Sequence, residues 1–213
     1  MSGPDSPVQR ADPTLAAAVA DALVAVERAR TAVLVEGWSD QAALRALAER
    51  RRRDLDAEGV VVVPIGGYSN LGHFLALLGP GGRDLGLAGL CDAREERHFR
   101  QMVERAGLGA AGTRAEMEAL GFFVCDADLE DELIRALGVA AVERVIEDQG
   151  DLGPLHTFRR QPAQRGRSDV QQLHRFMGTR SGRKITYARL LVEALDLDRV
   201  PAPLDAVLAY AAG

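Results

Sequence analysis

Four stretches of apolar residues, each closed by glycine or an acid and each followed by a helical pattern, constrain this chain more than any other feature. They are TAVLVEG, GVVVVPIGG, LGLAGLCD and GFFVCD. A strand with one solvated face alternates apolar and polar residues, so a run that is apolar throughout reads as a strand covered on both faces. Runs of this kind alternating with helices predict an α/β fold: a mainly parallel four-stranded sheet flanked by helices. Aromatics make up only 5% of the chain while aliphatic residues are plentiful, which suits helix-on-sheet packing better than a β-sandwich.

The rest of the chain falls around that sheet. Residues 1–13, rich in Pro, Ser and Asp, are expected to be disordered. Residues 14–150 form the core with a leading helix capped by Thr14, and residues 151–213 form a basic loop followed by a helical C-terminal extension packed on the core. Within the latter, the stretch before VQQLHRFMG is expected to be an arginine-rich loop around Pro162. The arginines at 50–53 read as the solvated end of a helix. No run approaches a bilayer span, and the N-terminus lacks a signal-peptide pattern. With only Cys91 and Cys125, neither a disulfide framework nor a cysteine zinc site is available, and a cytoplasmic location without membrane association is expected.

A net charge of −5 argues against passive polyanion binding, but the charge is uneven. Between His156 and Arg189 there are nine basic residues and one acid, Asp169. The only lysine of the chain, Lys184, stands among them, with twenty-six Lys and Arg in total.

Ligands of parallel α/β sheets bind outside the carboxyl ends of the strands. Here those ends carry Glu36, a Gly66–Gly67 turn, Asp92, and Asp126 with Asp128. Asp40 lies one helical turn after Glu36, Glu95 and Glu96 follow Asp92, and Glu130 follows Asp128. Carboxylates gathered at one sheet edge repel, at about 1 kcal/mol or more per close pair, and a divalent cation removes that penalty. Oxygen ligands without clustered histidine or cysteine point to Mg²⁺, or Mn²⁺, one or two ions.

These residues carry a family resemblance. VLVEGWSD resembles the opening EGxxD motif of TOPRIM domains, and Asp92 resembles the start of their DxD motif. VVPIGGYSN is similar to the turn between those motifs in the overcoming-lysogenization-defect (OLD) family of nucleases. FFVCDADLEDEL resembles the DLE segment after their fourth strand, and Lys184 before ITYARLLVEAL resembles their late lysine. The resemblance runs from about Ala32 to Leu195 and implies a Rossmann-like TOPRIM core with metal-dependent phosphodiester cleavage. On that reading Glu36, Asp40 and Asp92, helped by Glu95 or Glu96, hold one ion, and Asp128 or Glu130 helps to hold a second. Glu36 and Lys184 are then catalytic, the lysine neutralising charge on the scissile phosphate. Arg159, Arg160, Arg165, Arg167, Arg180 and Arg183 would grip flanking phosphates of nucleic acid, DNA before RNA.

Two departures stand out. The DxD position reads Asp92, Ala93, Arg94, so the second acid is replaced by a cation. OLD proteins carry an ATPase domain, but the stretch around the only lysine, GTRSGRKIT, lacks P-loop spacing, which implies a separate ATPase partner. The competing readings are TOPRIM-type nucleotidyl transfer and a catalytically weak binding module for such an ATPase. A homodimer is compatible with all three. GLGAAG at 107–112 spells a dinucleotide fingerprint but follows a charged helix and reads as a loop, while His98 and His174 read as surface or hydrogen-bonded histidines. Arg94→Asp is expected to strengthen Mg²⁺ binding, because an anion replaces a cation beside the crevice. Calorimetric titration that finds equal or weaker binding would place Arg94 away from the ion.

Overall fold

All four apolar runs are strands: β1 (Thr31–Val35), β2 (Val60–Pro64), β3 (Gly86–Asp92) and β4 (Phe122–Cys125). The computed structural model describes residues 15–180 and 182–213, so the expected disorder of 1–13 and the Thr14 cap lie outside the described residues. Every pairing is parallel, in the order β2-β1-β3-β4, with Thr31 opposite both Val60 and Gly86. The chain leaves β1 towards β2 and returns on its other side as β3. That reversal makes a topological switch point between β1 and β3, where a crevice opens beyond the strand ends.

Helices cover both faces, which explains why the strands are apolar throughout. Ala32 and Leu34 of β1 pack into one layer with α1 (Leu15–Ala25), α3 (Leu71–Leu78), α4 (Glu96–Arg105) and Met117 of α5 (Arg114–Ala119). Val33 and Val35 pack into the other with α2 (Trp38–Arg50), α6 (Leu129–Leu137), α7 (Val139–Asp148), α8 (Leu152–Arg159), α9 (Asp169–Met177), α10 (Arg183–Ala194) and α11 (Ala202–Ala211). Ala32, Val33, Leu34 and Val35 are all 0% exposed. Among the described residues, no helix is long and apolar enough to cross a membrane.

Two local expectations are corrected. The supposed loop after α7 contains α8, whose Gly153 and Pro154 read as helix breakers. Both lie in the first turn, where proline's missing N–H has no intrahelical partner to lose. The arginines at 50–53 are only partly a solvated end: Arg52 is exposed, but the other three are tied into the fold. Arg50 donates to the carbonyls of Val192, at 2.9 Å, and Leu195 at the end of α10. Arg51 pairs with Asp205 of α11 at 2.7 Å, and Arg53 donates to the Leu208 carbonyl at 2.8 Å and pairs with Glu58. Guanidinium groups thus satisfy carbonyls that a helix end leaves open.

The start of α10 is anchored equally firmly. Arg183 is buried, with its guanidinium 4.2 Å over the Phe176 ring. It donates to Asp151 at 3.2 Å and to the Thr179 hydroxyl at 2.9 Å, while the Tyr187 hydroxyl donates to the other Asp151 oxygen at 2.9 Å.

The β3–β4 pair depends on a close approach at Gly89, which lies opposite Phe122. A Cβ at Gly89 would stand 2.7 Å from the Phe122 ring and 3.2 Å from the Leu34 carbonyl oxygen. Phe122 is fully buried and has nowhere to move. Gly89→Ala is therefore expected to lower stability by about 1–3 kcal/mol through overpacking. Denaturant unfolding reads this directly, and unchanged stability would mean that the sheet yields.

Candidate metal centre

Glu36 follows directly on β1, and Asp92 is the last residue of its neighbour β3. A turn closed by the Glu95 N–H on the Asp92 carbonyl, at 2.9 Å, folds Glu95 back towards them. Glu36, Asp92 and Glu95 each offer an oxygen to a group whose atoms lie within 4.8 Å of one another. Asp40, in the first turn of α2, accepts the Gly37 N–H at 2.8 Å and lines the same crevice.

These acids hold one another's protons. Burial and then the neighbouring Glu95, Asp128, Asp40 and Glu36 push Asp92 up to about 8. Burial and Glu130 push Asp40 up to about 7, against the pull of Lys184 and the Gly37 N–H. Glu95 is raised too, by burial and by Glu36. Like charges crowded in a half-buried site favour the neutral acids until a cation takes their place.

A second group stands at the start of α6. Asp128 caps this helix, accepting the Asp131 N–H at 2.9 Å, and its other oxygen lies 2.7 Å from His174 Nε2 on α9. Glu130, only 1% exposed, meets Lys184 Nζ at 3.1 Å through one oxygen. Asp128, Glu130 and His174 offer ligand atoms within 4.8 Å of one another. Burial pulls the Lys184 ammonium down, but Glu130, Asp40 and Asp128 outweigh it and hold the group above its ordinary value. Burial would raise Asp128, yet hydrogen bonds from His174 and the Asp131 N–H keep it below the ordinary value.

Glu95 Oε2 and Glu130 Oε1 are buried without a hydrogen-bond partner. Unpartnered carboxylate oxygens inside a mutually repelling set fit a divalent cation with a preference for oxygen ligands. The crevice lined by Glu36, Asp40, Asp92 and Glu130 measures about 960 Å³, and its lining also includes Arg45, Gly67, Arg180 and Arg189.

Of the anticipated residues, Glu36, Asp40, Asp92, Glu130 and Lys184 line this crevice, while Glu95 joins it only through its group with Glu36 and Asp92, and Asp128 through its group with Glu130. Glu96 does not: it pairs with Arg114 at 2.8 Å and with Arg100 at 3.9 Å, turned away by its place one residue along the helix. Asp126 also faces elsewhere, towards Arg114 and Arg135, because β4 ends at Cys125. Arg183 is the buried anchor of α10 and cannot grip phosphate. Arg159 pairs with Glu143 at 2.6 Å and Asp169 at 3.7 Å. Arg160, Arg165 and Arg167 are exposed but do not line the crevice. Arg180 does line it, as does Arg45, which the sequence reading passed over; neither has a carboxylate partner among the described residues. His174 was read as a hydrogen-bonded histidine, and it is one, but its partner is a site acid. Cys91 and Cys125 are buried, and burial followed by adjacent carboxylates drives both thiols far up.

Parallel β1 and β3 with acids at their ends, and further acids on the helices that follow, are laid out as in a TOPRIM fold. The comparisons agree. Residues 29–88 match the model of the overcoming lysogenization defect protein-like TOPRIM domain. The C-terminal region of the OLD protein of Xanthomonas campestris pv. campestris superposes with a TM-score of 0.68 at 26% identity, covering 86% of this chain and 95% of that one. The C-terminal region of the Burkholderia pseudomallei OLD protein gives a TM-score of 0.68 at 24% identity, covering 86% and 97%, and supports the fold. No curated protein sequence matches the chain. The chain carries a TOPRIM domain, and within that class it resembles the TOPRIM domain of the OLD family.

The raised carboxyl groups carry a sign. Between pH 4 and 7 Asp40 stays protonated in the folded chain and ionises in the unfolded one, so the metal-free fold loses stability as pH rises through that window. Asp40→Asn removes the group that loses its proton while keeping an acceptor for Gly37. It should raise the melting temperature of the metal-free protein at pH 8 by about 5 °C, since each kcal/mol moves a domain of this size by roughly 2–4 °C. At pH 4 the two proteins should melt together; a difference there as large as at pH 8 would assign the effect to packing.

Proposed function

We propose that this chain is a divalent-metal-dependent nuclease that hydrolyses phosphodiester bonds of nucleic acid, DNA before RNA. The observation that carries the reading is the convergence of Glu36, Asp92 and Glu95 at the switch point, with Lys184 across the crevice. Glu36, Asp40, Asp92 and Glu95 would hold a divalent cation, and Asp128 with Glu130 a second; bound there, such ions supply Lewis-acid charge and make water nucleophilic near neutral pH.

The chain's own groups do the rest. Without a cation Asp40 and Asp92 stand near 7 and 8, so taking up the ion would release their protons. Lys184 brings a compact ammonium to the mouth of the site, where it would neutralise charge growing on the scissile phosphate. Arg45 and Arg180 would hold phosphates on either side, a contact that gives affinity without reading sequence. In the reaction, water oxygen bonds to phosphorus, the ester P–O bond breaks, and the leaving oxygen takes a proton. The setting read from cysteine usage is the cytoplasm, the resemblance to OLD proteins adds an ATPase partner, and a homodimer is compatible with both.

The test is nicking of supercoiled plasmid with and without Mg²⁺ and nucleoside triphosphate. Glu36→Gln and Asp92→Asn should each abolish cutting with the fold retained. Lys184→Arg should slow single-turnover cutting nearly as much as Lys184→Ala, on the order of 10²–10³-fold, since the wide guanidinium fork cannot replace a point charge on one oxygen. Cutting at the wild-type rate by Glu36→Gln and Asp92→Asn would overturn the reading, and DNA binding without cutting by the wild type would leave a binding module.

A further inference from the structure

The two acid groups of the crevice differ in chemistry. The group at the switch point is all carboxylate, whereas the group at α6 contains an imidazole nitrogen. His174 reaches it from α9 and places Nε2 2.7 Å from Asp128 Oδ2, a hydrogen bond whose proton an incoming cation would displace to free the nitrogen. Glu130 is 1% exposed, and although one of its oxygens meets Lys184, its Oε1 is buried with no hydrogen bond. A buried carboxylate oxygen left without a donor costs free energy that a ligand for it would recover.

We infer that Asp128, Glu130 and His174 form a nitrogen-bearing cation position that takes a first-row transition dication such as Mn²⁺ in preference to Mg²⁺, with His174 Nε2 as a ligand. Mg²⁺ demands a regular shell of oxygens and gives up water reluctantly, whereas later dications accept imidazole readily. The all-carboxylate group offers no such discrimination, so the two positions in one crevice would hold different ions. His174 is the residue that sets the difference. The inference rests on the proposed metal dependence but adds to it a ligand and a selectivity.

Electron paramagnetic resonance of Mn²⁺ added to the purified full chain tests it without reference to cleavage. In wild type, one Mn²⁺ should stay bound against a hundredfold excess of Mg²⁺ and show electron-spin-echo modulation from a directly coordinated ¹⁴N. His174→Gln and His174→Asn should both lose the modulation and release that Mn²⁺ to at least about 10-fold less Mg²⁺, the lower end of what altering a metal shell costs. The side chain of His174 is 36% exposed, so neither replacement empties a core position. Mn²⁺ that binds wild type without nitrogen modulation, or that resists Mg²⁺ equally in wild type and both variants, would overturn this inference and leave the metal-dependent reading standing. Failure of wild type to bind either ion would overturn both.

Discussion

Repulsion between carboxylates on neighbouring strands is the constraint around which this molecule is organised. Glu36 and Asp92 face one another because β1 and β3 run parallel and side by side, and no adjustment of the strands can separate them without breaking the sheet. The surrounding protein compensates in two ways. Asp40 receives a backbone N–H and Asp128 receives both a backbone N–H and an imidazole. Lys184 brings a counter-charge from α10. What remains uncompensated, above all on Glu95 and Glu130, is the part suited to a cation.

The strands, their parallel arrangement and the acids at three of their ends could be read from the chain because burial on both faces leaves a simple trace: an apolar run closed by an acid or by glycine. Choosing between Glu95 and Glu96 was beyond that trace. The two differ by about 100° around a helix, and only the turn that places the Glu95 N–H on Asp92 decides which points inwards. His174 was harder still, since it meets Asp128 across 46 residues and nothing in its own neighbourhood marks it. The resemblance to TOPRIM domains supplied the roles of the acids but not this partner.

Arginine was the least legible residue type. A count of basic residues between His156 and Arg189 says nothing about which are committed to carbonyls, rings or acids within the fold. Arg183 and Arg159 are so committed, and so are Arg50, Arg51 and Arg53, which had looked solvated. Conversely, Arg45 sits on a helix face that reads as ordinary surface, and only the opposing loop and helix turn that face into the wall of a crevice.

Helices α2 and α10 run alongside each other in the same direction. Asp40 and Lys184 stand at their first turns, Glu49 and Arg189 pair between them at 2.7 Å, and Arg50 clasps the last carbonyls of α10. Two rods fastened at their far ends cannot slide past one another, so the separation between acid and ammonium is set at a joint about 15 Å away, ten residues along the helix at about 1.5 Å each. The placement of charge at the mouth of the crevice is in this sense a property of helix alignment, and a guanidinium that never meets a substrate acts as its stop.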